Sequence, residues 1–63
     1  MISYRHIKDA ITARGQAGDI DGETVEKLVY LASIDPGVSD DEGASTDPEV
    51  VDAFVEGLID AGS

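Results

Sequence analysis

The sequence has no cysteine and no tryptophan, a single histidine, a single methionine, and four basic residues against 14 acidic ones. Without cysteine there is no disulfide scaffold, no Cys-containing zinc site and no thiol nucleophile, so stability must come from the core, a partner or the solvent. No apolar run approaches the roughly 18 residues that span a bilayer. The opening stretch MISYRHIKDAI interleaves charges where a signal peptide would run uninterrupted apolar residues. A cytoplasmic protein with no membrane partner is the expectation. At 63 residues there is room for one domain, 1–63, whose core supplies only about 3–5 kcal/mol.

The few basic residues gather at one end. Residues 1–18 carry Arg5, Lys8 and Arg14 against Asp9, whereas residues 19–63 carry 13 acids against Lys27, for a formal net charge of −10. Such a field repels phosphates and anionic lipid and attracts basic surfaces, which argues against direct nucleic-acid binding. Two explanations fit the acidity: a negative face aimed at a basic partner, or a solvated surface of the kind found in salt-adapted organisms.

What is present is a modest core. Apolar residues make up 41% of the chain, and 19 of them are larger than alanine, which places the sequence among globular rather than disordered proteins. Their spacing predicts three helices near 4–14, 22–34 and 48–61. In the first, Ser3 stands at the N-cap, Gly15 at the C-terminal stop, and Tyr4, Ile7, Ala10 and Ile11 form a narrow stripe. In the second, Asp21 is the N-cap, Ile20 and Val25 sit at staple positions, and Asp35-Pro36-Gly37 ends the helix. The third opens on Thr46-Asp47-Pro48-Glu49 and closes at Gly62. Its Val50, Val51, Phe54, Val55, Leu58 and Ile59 spread over about half the circumference. No segment alternates with period two between turns, so no strands are expected. The fold class implied is all-α: a small three-helix bundle with a long acidic loop, 35–47, between helices two and three. Helices two and three should supply most of its core.

Candidate chemistry is sparse. Asp19-Ile20-Asp21-Gly22 has the look of a calcium loop, but placing Gly22 at the required sixth position puts Ala17 first and Leu28 at the bidentate twelfth position, where neither can ligate. No metal and no cofactor follow from the sequence. A lone His6 among Tyr4, Arg5 and Lys8 lacks the partner groups that catalysis needs, and a non-enzyme is expected. A helix-turn-helix reader is disfavoured too: its turn is about 3–4 residues long, whereas thirteen separate the second and third helices, and the third would present Glu49, Asp52 and Glu56 to phosphates.

Partner binding is the better-founded expectation. The acids Glu49, Asp52, Glu56 and Asp60 recur every three or four residues on one face of the third helix, close in sequence to Asp40, Asp41 and Glu42. That spacing is comparable to the repeat of backbone charge on a nucleic-acid strand. Tyr30 and Ile34 fall outside the main apolar arc of the second helix and are candidate interface anchors. The third helix's stripe is wider than two short helices need, which suggests a homodimer through Val51, Val55 and Ile59. The function expected is a small acidic interaction protein, an inhibitor or adaptor for a basic protein surface such as that of a nucleic-acid-binding protein, with nucleic-acid mimicry as its sharpest form. The alternative is a structural, homodimeric domain of a salt-adapted organism or its virus, in which the acidity has no binding role.

Overall fold

In a computed structural model that describes residues 1–40 and 47–62, the chain forms three helices: α1 (Tyr4–Gln16), α2 (Gly22–Ile34) and α3 (Pro48–Gly62). The expected helical bundle is present. Two short strands accompany it, β1 (Ile2–Ser3) and β2 (Val38–Ser39), paired in parallel with Ile2 opposite Val38 and Ser3 opposite Ser39. They correct the expectation of a strand-free chain and interrupt the segment read as one loop, 35–47. Two residues are too short for period-two alternation to register, so nothing local announces them.

The turn after α2 builds that pairing. Asp35 leaves helical geometry ahead of Pro36, as the residue before a proline tends to do. Its Oδ1 accepts the Gly37 N–H at 2.8 Å and its carbonyl accepts the Val38 N–H at 3.1 Å. The Gly37 carbonyl in turn accepts the Ile2 N–H at 3.1 Å. An aspartate side chain hydrogen-bonding two residues ahead is a common turn device. Here it delivers β2 alongside β1.

α1 runs past its expected stop. Gly15 lies inside the helix, and the left-handed residue is Gly18, at φ 84°. The Asp19 N–H donates to the Arg14 carbonyl at 3.0 Å and the Gly18 N–H to the Gly15 carbonyl at 3.2 Å, the bond pair of a Schellman ending. Gly15 serves packing: a Cβ there would lie 2.5 Å from Val25 Cγ2 in α2. At the other end, Ser3 has the extended backbone of an N-cap, but its side chain makes no capping hydrogen bond. It is buried in β1. By contrast Asp21 caps α2 as expected, accepting the Thr24 N–H at 2.7 Å, and Asp47 accepts the Glu49 N–H at 3.0 Å at the start of α3.

The buried core is one i, i+4 pair from each helix: Ile7 and Ile11, Leu28 and Ala32, Val51 and Val55. Residues four apart stack on one face, so each helix turns one edge inward. α1 packs more widely against α2 and α3 than those two pack against each other. Helices two and three supply four of these six buried residues and most of the partly buried ones around them, as expected, while α1 is the helix that packs most widely against the other two. The wide stripe of α3 is largely consumed inside the molecule, with Phe54, Leu58 and Ile59 packed around the buried cluster. The Phe54 ring also reaches the Asp35–Gly37 turn, where a Cβ on Gly37 would lie 4.0 Å from its Cε2.

Candidate functional site

α2 places its core residues Leu28 and Ala32 inward, and Tyr30, two residues from each, therefore points the opposite way at 3.6 residues per turn. Tyr30 is 63% exposed and Ile34, one turn on, is 60% exposed. Among the described residues no helix covers this pair. Glu26, one turn before Tyr30, and Glu23, nearly one turn before that, share the outer side and are exposed, and Lys27 lies at its margin. The surface is thus a short apolar ridge in an acidic surround.

Ser33, which lies between Tyr30 and Ile34 in the chain, lines a cleft of about 240 Å³ together with Tyr4, Val38, Ser39 and Asp40. Tyr4 and Asp40 directly follow the paired residues Ser3 and Ser39, so the strand pairing brings them to one end of the small sheet. Ser33 comes from the last turn of α2, and its hydroxyl donates to the Tyr30 carbonyl at 2.6 Å. Sequence reasoning found Asp40 here and missed the other four. They come from three separate segments, and no spacing along the chain relates them.

The acidic stripe of α3 is different. Arg14, at the end of α1, sets Nη1 2.7 Å from Glu56 Oε1 and Nη2 3.9 Å from Asp52 Oδ1. Two of the four stripe carboxylates thus face a guanidinium of the same chain. The signal was in the sequence, since Arg14 is the last basic residue before Lys27, but only folding shows which acids it meets. Glu49 and Asp60 are exposed at opposite ends of the helix. Asp41 and Glu42 lie outside the described residues, so the expected patch of seven acids is assembled only in part. Among the described residues, no group of three or more acidic or histidine side chains is placed to hold a metal ion. Asp21, from the calcium-like segment, is instead committed to its helix: hydrogen bonds from the Thr24 side chain, then from the Thr24 amide, hold its carboxyl below the usual aspartate value.

The proposed dimer surface loses its principal members. Val51 is 5% exposed and Val55 is fully buried, and Ile59 is half-buried against the same cluster. Residues already enclosed in the monomer's core offer no surface to a second copy. The stripe looked too wide because Phe54, Leu58 and Ile59, beyond the two buried valines, also pack around the cluster inside the monomer. No described helix is long and apolar enough to cross a membrane. No family model matches the chain, and no curated protein or solved structure is significantly similar to it.

Proposed function

We propose that this chain is a small acidic interaction protein, an inhibitor or adaptor that docks a basic protein surface through the outer face of α2. One observation carries the proposal: Tyr30 and Ile34 stand exposed one turn apart, in a chain that has only three aromatic residues. Aromatic and apolar anchors ringed by charge are the composition that interface centres favour. The charge of −10 supplies the second half of the recognition, since it speeds encounter with basic partners and repels acidic ones. We place the protein in the cytoplasm, with the basic surface of a nucleic-acid-binding protein as the kind of target that suits it. Mimicry of nucleic acid by α3 has less support, because Arg14 already occupies the middle of that stripe.

The experiment compares the unmodified protein with Tyr30→Ser/Ile34→Ser as baits in a lysate of the source organism, read by quantitative mass spectrometry at two ionic strengths. A basic protein recovered by the first bait and lost from the second is the expected result. Equal recovery by both baits would move the docking surface off α2. If neither bait recovers a partner above background, the acidity is surface chemistry and the salt-adapted structural domain becomes the better account.

A further inference from the structure

The cleft beside the Tyr30–Ile34 ridge has a definite hydrogen-bonding polarity. A serine hydroxyl has one proton to give and two lone pairs to accept with. Ser33 donates its proton to the Tyr30 carbonyl, so toward the cleft it can only accept. Asp40, when ionised, is likewise acceptor-only. Tyr4 and Ser39 add hydroxyls, Val38 adds an apolar wall, and among the described residues no cationic side chain lines the space. Asp40 is the charged group of the lining, and the side chains that answer a carboxylate with both charge and hydrogen-bond donors are the lysine ammonium and the arginine guanidinium. Both are carried on aliphatic stems that lie comfortably along apolar surface, as Val38 would allow. Carboxylates and phosphates are disfavoured by the Asp40 charge and by the net charge of −10.

We infer that the cleft receives a lysine or arginine side chain of the protein docked on α2, an inference that rests on that docking surface. Because Ser33 lies between Tyr30 and Ile34 in the chain, one partner segment reaches both features. An apolar residue sits on the ridge, and a neighbouring basic residue turns into the cleft. The partner's basic character is thereby focused at one point. Net charge alone would spread it over the whole acidic surface.

The test uses the isolated full chain and three defined probes: N-acetyl-lysine methylamide, N-acetyl-arginine methylamide and N-acetyl-norleucine methylamide, titrated against assigned amide NMR spectra. The two cationic probes should move the amides of Tyr4, Ser33, Val38, Ser39 and Asp40, and norleucine should not. Asp40→Asn should weaken the cationic probes about threefold, the scale of an exposed ion pair. Because Asp40 is exposed, the variant should keep its fold, checked in the same spectra. Equal response to norleucine, or cationic shifts spread evenly over Glu23, Glu26, Glu49 and Asp60, would overturn the inference. The two proposals separate cleanly. Partner capture that depends on Tyr30 and Ile34 but not on Asp40 leaves the docking surface standing and removes the cleft from it.

Discussion

The outer faces of α2 and α3 read alike in sequence and ended differently. Each carried apolar residues in excess of what a helix pair needs, beside a set of acids. In α3 most of the excess went inside: Val51 and Val55 are buried, Phe54, Leu58 and Ile59 are packed around them, Val50 alone of the stripe is exposed, and Arg14 lies against Glu56 and Asp52. In α2 the smaller excess stayed out, with Tyr30 and Ile34 mostly in solvent. The width of an apolar stripe is therefore a poor guide to what remains available for binding. What decides is whether a neighbouring helix reaches it, and α1 reaches α3 on one side and the inner edge of α2 on the other.

The sharpest way to break this comparison uses one residue type in two places. Ile11→Ala should cost about 2–5 kcal/mol, since the side chain is fully buried, which is much or all of the about 3–5 kcal/mol that a core of this size supplies. Ile34→Ala, on the outer face of α2, should stay within about 0.5 kcal/mol. Thermal melts by circular dichroism measure both. Similar losses at the two sites would mean that Ile34 is covered in solution and that α2 has no open face.

Two glycines give the next largest contrast. Both lie in helices, where alanine is ordinarily favoured by about 1 kcal/mol. Gly57→Ala should show that gain, because nothing lies within 4 Å of the added methyl. Gly15→Ala should destabilise by about 1–3 kcal/mol, because the methyl would lie 2.5 Å from Val25 Cγ2 and valine has little rotamer freedom to move aside. Val25→Ala in the same chain should relieve the clash in part. If Gly15→Ala stabilises the protein, α1 and α2 are not as close as described.

Smaller effects follow for the charges. Arg14→Gln should cost no more than about 1 kcal/mol, because Asp52 and Glu56 are largely in solvent, and the difference should shrink in one molar salt as screening shortens to about 3 Å. Salt should meanwhile raise the melting point of the unmodified protein, whose net charge repels itself. The smallest effect belongs to Asp21. Its carboxyl titrates below the unfolded value, held there by its bonds with Thr24. The stabilisation is therefore present above the unfolded pKa and lost as pH falls through the folded one. Asp21→Asn keeps an acceptor at the cap. It should leave neutral-pH stability nearly unchanged and flatten the acid limb of the stability curve, measured by melting between pH 2 and pH 6 on the scale of an ordinary aspartate titration of about 3.9.

Local physics was legible at most places where a signal acts over four residues or fewer, Ser3 excepted, whose side chain makes no capping hydrogen bond. Asp21 with Thr24, Asp47 ahead of Pro48, and Asp35 before Pro36 announce helix ends because capping and proline sterics involve only near neighbours in the chain. The ending of α1 misled because a glycine can serve a turn or a contact, and the residue sequence does not say which. Gly18 took the left-handed position, and Gly15 was reserved for Val25, ten residues away. β1 and β2 were invisible for a related reason. Their pairing joins Ile2 to Val38 across the whole of α1 and α2, and two-residue strands have no pattern of their own.

The sequence by itself determined that there would be three helices, where each of them begins, and that the surface would be strongly negative, because propensity, capping and formal charge are properties of the chain. Only the tertiary structure decided which apolar residues became core and which remained for a partner. It also decided which acids Arg14 would meet, and it drew one cleft from Tyr4, Ser33, Val38, Ser39 and Asp40. Those outcomes depend on how α1 lies against its two neighbours, and that placement follows from the shape of side chains meeting across the bundle, information that no window along the chain contains.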